Sequence, residues 1–434
     1  MIGTSALAPR PPSKHIDDSV AITAGPALDR ETFIGIRRHM ALEACKWDPQ
    51  VEDVSVLQPF PLLLSHAQWL YLTACAEALA RETCAAELAL LERPDLLWKL
   101  AVPPRLAQPI LRGLSSKRPA ADEARFMRFD FHPTPTGWRI SEVNSDVPGG
   151  FSEASEFPSL MAERYPGYAP AGAPGPELAN ALARTSEPTC GRRAWGAALV
   201  WAAGFMEDLQ VVSYLAGLLR RRGIETCVIN PTHLRFDGGK ARLLAGGAGG
   251  VCAPLSFIVR FHQAEWLSRR RYNAVASYLL GDSETPVINP GYAMLSESKR
   301  FPLVWNDLHL EMRTWRQLLP ETRDPREVPW RRDDRWPLKT AFCNTGDSVS
   351  SPLTMRRRDW FRSAAEATLF PNQWVAQRRF ESLTIDTPLG SAYPCIGVYT
   401  IGGRACGIYG RLSRTPVVTY AAADVAVLVE EESE

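Results

Sequence analysis

The chain contains no CxxC pair and no local cluster of histidine and cysteine, although nine cysteines are spread through its 434 residues. Structural zinc sites require such spacings, so none is expected, and an odd number of cysteines does not close into a disulfide framework. Reduced thiols in a cytoplasmic protein are the expectation. Apolar runs stop short of the ~18 residues that a membrane helix requires, and no signal-peptide-like stretch occupies the first 28 residues. An excess of one charge is also missing. The formal net charge is +1, and the triplets beginning at Arg220, Arg269 and Arg356 are set among acids. Neither a membrane nor a nucleic acid is indicated as a partner. No GxGxxG follows the first strand of the central α/β stretch, which argues against a dinucleotide dehydrogenase. No GxxxxGK[ST] occurs, which argues against a P-loop. There is no internal repeat.

What is present is an ordinary globular composition, 45% hydrophobic and 22% charged, in a chain long enough for two or three domains of roughly 150 residues. Residues 1–28 are rich in Pro, Ala and Ser without a period and read as a disordered leader. Residues 29–190 hold a helical region, clearest from Leu64 to Leu91 with Glu77, Glu82 and Glu87 on its polar face, followed by a hairpin. Residues 191–290 alternate strand, helix and strand (Ala197–Ala203, Glu207–Arg222, Thr226–Asn230, Ser256–Phe261), the pattern of a small parallel α/β unit. Residues 291–434 carry a strand at Trp374–Phe380, a hairpin turning on Gly402-Gly403 and an acidic end, Glu430 to Glu434, expected to fray.

The hairpin, Arg125 to Asp146, concentrates the chemistry. Met127, Phe129 and Phe131 alternate with Arg128 and Asp130, and Val143 alternates with Glu142, Asn144 and Asp146. Successive strand residues face opposite sides, so each arm has an apolar face and a face of functional groups. The segment His132 to Gly137 is rich in turn formers and is expected to join the arms, with His132 structural. Two carboxylates, an amide and an arginine on one face are hard oxygen ligands plus a phosphate binder, which suits magnesium and a nucleotide. The loop Val147 to Ser152 can bring backbone N–H groups to a ligand. Lys299 and Lys339 are candidate phosphate partners, the second preceding a short loop around Gly346. Arg260-Phe261-His262 ends a predicted strand, from which a polar side chain, Arg260 above all, can reach a substrate.

The spacing R-x-D-x(11)-E-x-N-x-D, the later lysines, the glycine loop and the closing GIYGR segment together resemble the synthetase domain of glutathionylspermidine synthase and its relatives, permuted ATP-grasp ligases. The resemblance runs from about Arg30 to the C-terminus. It implies an α/β (α+β) chain of ATP-grasp type, with a helical N-terminal region and a small parallel pre-ATP-grasp unit. It also implies ATP and Mg²⁺ as cofactors, with Asp130, Glu142 and Asn144 as magnesium ligands. Arg128 then holds the transferred phosphate and the acyl phosphate, and Arg411 is a second active-site arginine. Lys299 and Lys339 contact ATP phosphates under a loop bearing Gly346, Gln377 lies near the adenine, and Asp146 and Ser152 line the substrate pocket. Two departures stand out. Gly149-Gly150-Phe151 differs from the bifunctional enzymes, so glutathione is not implied as the substrate, and no amidase precedes the synthetase-like region, so Cys45 is assigned no catalytic role.

The implied activity is ATP-dependent ligation of a small-molecule carboxylate to an amine through an acyl phosphate. The alternative is an inactive nucleotide-binding or scaffold protein with the same fold. Substrate identities and oligomeric state are not legible in the residues.

Overall fold

The computed structural model describes residues 20–47, 50–51, 54–116, 123–185, 196–244, 254–342, 349–352, 355–419 and 421–432. Its centre is a five-stranded antiparallel sheet in the order Ala423–Val425, Arg404–Ser413, Tyr393–Ile401, Phe126–Thr134, Gly137–Asn144. The early hairpin is therefore joined edge to edge with a hairpin from the end of the chain, Phe131 standing across from Ile396 and Asp130 from Gly397. Gly402 and Gly403, at φ +55° and +78°, make the tight turn of the later hairpin, a conformation that glycine adopts without steric cost.

Apolar residues of the first hairpin, Met127, Phe129, Phe131, Ile140 and Val143, bury one sheet face against the helix His66–Ala89, which contributes Leu72, Cys75, Ala76, Leu79 and Ala80 at helical spacing. Ser65 caps that helix by accepting from the Gln68 N–H at 3.2 Å. Its three glutamates are not a solvated face. Glu87 is buried at 1% exposure and forms a two-pronged ion pair with Arg125; Glu82 accepts from the N–H groups of Thr314 and Trp315, and Glu77 from that of Ala405. Each joins the helix to a distant segment, which helical periodicity alone does not reveal.

The central α/β unit has four parallel strands in the order Val287–Ile288, Phe257–Phe261, Ala197–Trp201, Thr226–Ile229, with the helix Met206–Arg221 packed on them. Ala197 to Val200 and Phe257 to Val259 are all buried, as expected of a parallel sheet covered on both faces. A third, mixed sheet joins Ile22–Ala24, Leu62–Leu64, Val427–Glu430 and Tyr168–Pro170. Both expected loose ends are partly tied into it. Within the supposed leader, Ile22–Ala24 is a strand, while residues 1–19 lie outside the described residues. In the acidic end, Glu430 pairs with Tyr168, and Glu432 lies 3.0 Å from His66. Apolar side chains on alternate positions of these short segments give them something to bury, which composition alone did not register.

The last unit is a small three-stranded sheet, Thr322–Arg323, Trp374–Gln377, Leu338–Thr340, under the helix Arg357–Leu369. It has its own core of Trp330, Trp336, Leu338, Ala367, Trp374 and Ala376. The strand expected to reach Phe380 ends at Gln377. Among the described residues no helix is long and apolar enough to cross a membrane.

Candidate active site

The functional face of the hairpin is shaped by a β-bulge. Phe129 pairs with Val143 but Phe131 pairs with Ile140, so Asp130 alone stands opposite both Ser141 and Glu142. The extra residue lets Ile140 and Val143, three apart in sequence, share the apolar face while Glu142 and Asn144 gather around Asp130. Arg128 donates from Nε to Asp130 Oδ1 at 2.7 Å and from Nη2 to Oδ2 at 3.1 Å, and Asn144 Nδ2 donates to Oδ2 at 3.0 Å. A third donor of Arg128, Nη1, reaches the Gly149 carbonyl at 2.8 Å.

The two lysines arrive from elsewhere in the chain at the bulge. Lys299 Nζ is 3.0 Å from Glu142 and 3.7 Å from Glu297, and Lys339 Nζ donates to the Ser141 carbonyl at 3.2 Å. Burial by itself would raise the pKa of Glu142, but Lys299 and Lys339 together pull it down to about 2. The turn that carries Lys299 is tied to the end of the strand Leu338–Thr340 that carries Lys339, since the Lys299 N–H donates to the Ala341 carbonyl. His132 is not in a turn. The first strand continues to Thr134, which places His132 on the functional face beside Asp130, with Nε2 3.0 Å from Ser141 Oγ and 3.7 Å from Cys395 Sγ. Burial pushes its pKa down to about 4, so it is neutral at pH 7.

Aromatic rings and one glycine hold Arg128. The guanidinium lies 5.0 Å from the Tyr409 ring centroid and 6.0 Å from that of Tyr399, and the Tyr399 hydroxyl donates to the Gly149 carbonyl. Gly397 faces the pair so closely that a Cβ there would lie 2.7 Å from Arg128 Cδ. None of these three was singled out from the sequence, although a glycine inside a strand is the usual mark of a close approach. Arg411 stands across from Cys395 on one side and Asp424 on the other, and donates to the Thr419 carbonyl at 2.6 Å.

With this geometry in place, the similarity to known proteins can be stated. Residues 58–430 match the family described as glutathionylspermidine synthase preATP-grasp. The chain belongs to this family. Its fold is that of ATP-grasp ligases, mixed α/β with a parallel unit beside the ATP-grasp core. Among solved structures, a glutathione synthetase-like effector (GSS30) from Globodera pallida, in its apo form, aligns over 92% of this chain and 97% of its own with a TM-score of 0.56. The identity is 12%, so the likeness is one of fold. No curated protein sequence matches.

Within the glutathionylspermidine synthase-type framework the remaining candidates fall into distinct places. Gln377 sits on the middle strand of the small sheet and donates to Thr322 Oγ1 at 3.1 Å. Gly346 and the rest of residues 343–348 lie outside the described residues. Ser152 lies in the first turn of the helix Phe151–Ala162 and donates to Glu153 Oε2 at 2.8 Å. Arg260 is at 0% exposure, and its guanidinium is taken up by Asp146 and by the carbonyls of His262, Asn289 and Pro290. The second Asp146 oxygen accepts the Ala264 N–H at 2.8 Å. The structure therefore makes Asp146 and Arg260 a buried clamp between the hairpin's end and the parallel sheet, with Arg260 wholly enclosed.

Two further carboxylates stand just beyond. The order of the parallel strands reverses direction between Ala197–Trp201 and Phe257–Phe261, and ligands in such sheets bind outside the carboxyl ends at that point. Asp208 and Glu265 stand there, and burial raises their pKa values to about 7 and about 8. Gln263 Nε2 reaches Asp208 at 3.5 Å. Local sequence carries no signal for them, because burial of a carboxylate after a strand is a tertiary property.

Magnesium fits the donor set. Asp130 and Glu142 supply carboxylate oxygens, and Asn144 keeps its amide oxygen as an acceptor while its N–H₂ serves Asp130. Mg²⁺ is ordinarily held by one or two carboxylates, with phosphate and water completing its shell. Among the described residues no three His, Cys, Asp or Glu side chains are grouped so as to hold a metal by themselves.

Proposed function

We propose that the chain is an ATP-dependent carboxylate–amine ligase, forming an amide through an acyl phosphate. The observation that carries this reading is the convergence of Lys299 and Lys339 on the Glu142–Ser141 bulge, facing Arg128, Asp130 and Asn144. Lys299 and Lys339 bind the triphosphate, and Gln377 borders the adenine. Asp130, Glu142 and Asn144 would hold magnesium, which would supply neutralisation of the phosphate charge. Arg128, already fixed on three sides, meets the charge on the transferring phosphoryl group, an effect worth about 3–4 kcal/mol for a well-placed donor. Arg411 supports the same region.

The amine must lose a proton before it attacks the acyl phosphate. Glu265 and Asp208 lie outside the carboxyl ends of the parallel strands with pKa values near neutrality, which suits them to accept it. The deciding experiment is a screen for amine-stimulated ADP release over a library of small carboxylates and amines, with products read by mass spectrometry. Asp130→Ala and Glu142→Ala should each abolish the release with folding intact. Near-normal turnover in both would overturn the ligase reading, and nucleotide binding without any amine-stimulated turnover would favour a binding protein of the same fold.

A further inference from the structure

The family match begins at residue 58, yet a side chain from before it lies in the interior beside the candidate site. Lys46 follows the helix Arg30–Leu42, and its side chain is 6% exposed. The segment is fixed by the Lys46 N–H donating to the Met40 carbonyl at 2.8 Å and by the Trp47 N–H donating to Gln210 Oε1 at 2.7 Å. Lys46 Nζ stands 2.7 Å from Glu153 Oε1 and 3.0 Å from Asp424 Oδ2. Both carboxylates are buried, so each depends on this ammonium.

Each carboxylate leads to Arg128. Asp424 Oδ1 accepts the Tyr409 hydroxyl at 2.6 Å, and the Tyr409 ring carries the Arg128 guanidinium. Glu153 lies in the first turn of the helix Phe151–Ala162 and accepts from Ser152. That helix starts from Gly150, at φ +91°, where a Cβ would lie 3.0 Å from the Tyr409 ring, and the preceding carbonyl, Gly149, accepts from both Arg128 and Tyr399. One arm thus sets the ring beneath the guanidinium, and the other sets the carbonyl at its edge.

We propose that Lys46 is a positioning residue for Arg128, so that the segment preceding the family match completes the active site. The proposal rests on the reading that Arg128 meets the terminal phosphate of the nucleotide. Loss of Lys46 alone would strand two buried carboxylates, so the informative variant is Lys46→Met/Glu153→Gln/Asp424→Asn, which removes the three charges together. Tyr409→Phe is the companion, since it keeps the ring and leaves the cluster intact.

Affinities for Mg²⁺ with the non-hydrolysable analogue AMP-PNP, and for Mg²⁺ with ADP, are measured by titration calorimetry on the full chain. The triple variant should lose AMP-PNP affinity by about tenfold or more, the worth of one charge-assisted hydrogen bond, with ADP affinity changed less than about twofold. Tyr409→Phe should shift the ratio the same way by about threefold. An unchanged ratio in the folded variants, or a parallel loss of both nucleotides, overturns the proposal. If the triple variant does not fold, Lys46→Met/Glu153→Gln, which leaves Asp424 bonded to Tyr409, takes its place, and an unchanged ratio there overturns the proposal. A wild type that binds both nucleotides but never releases ADP overturns the ligase reading and leaves this one standing, whereas one that binds neither overturns both.

Discussion

Gly397 stands directly across from Asp130 in the central sheet, and a Cβ at that position would lie 2.7 Å from Arg128 Cδ and 3.0 Å from Asp130 Oδ1. Real Cβ atoms do not approach so closely, so the Arg128–Asp130 pair occupies space that only glycine leaves open. Gly397→Ala should move the guanidinium from its seat while the strand persists. The expected outcome is a fall in ADP release of about 10²-fold, with a loss of stability of about 1–3 kcal/mol. Turnover assays and thermal melts check it, and wild-type turnover in the alanine variant would refute the role given to this contact.

A second prediction concerns acid. His132 and His262 are both buried, and burial lowers each pKa from 6.5 to about 4. The unfolded chain therefore takes up these protons first as the pH falls. Stability conferred by the neutral rings is fully present above pH 6.5, declines between pH 6.5 and about 4, and levels off below. Each ring accounts for up to about 3 kcal/mol across that window. Melting temperatures of the metal-free protein from pH 7 to pH 4 should show the decline, and His262→Asn should make it shallower. An equal slope in the variant would contradict the assignment.

The pair Lys299–Glu142 should behave as a coupled unit. Lys299 is almost fully buried, and its removal takes from Glu142 its nearest cation. Lys299→Met should therefore destabilise the chain more than Lys299→Met/Glu142→Gln, with a coupling of about 1–3 kcal/mol in a double-mutant cycle. Urea unfolding of the four proteins measures it, and additivity would mean that the two groups do not act together.

Arg260 distinguishes a clamp from a ligand group. Because it is wholly enclosed and bound to Asp146 and three carbonyls, Arg260→Ala should cost about 3–5 kcal/mol by leaving Asp146 buried and unpaired. The KM values of the folded fraction should stay near those of wild type. A selective rise in one substrate's KM at unchanged stability would restore Arg260 to the substrate pocket.

Much of this molecule is legible along the chain. The alternation around Arg128 and Asp130 marked a two-faced strand, Gly402-Gly403 marked a turn, and the runs at Ala197, Thr226 and Phe257 marked a parallel unit. The places where local reading went astray share one cause. Pro133 and Pro135, which follow His132, read locally as a turn, but a strand at the hairpin's end accommodates proline where no ladder bond is required of it. Helical periodicity puts Glu87 on the polar face because it ranks positions by polarity, and periodicity does not register a buried arginine arriving from residue 125.

The sequence by itself determined which groups this protein can bring to a reaction, two carboxylates, an amide, an arginine and two lysines, since strand alternation and residue chemistry are local properties. It also determined membership of a ligase family, because the spacing within one hairpin is local too. Only the tertiary structure decided how those groups meet. The bulge that sets Ser141 and Glu142 against Asp130, the glycine that leaves room for Arg128, and the lysine that supports it from outside the family match all depend on strand register and on packing between distant segments. Such contacts arise from the shared burial of surfaces far apart in the chain, which no local pattern specifies.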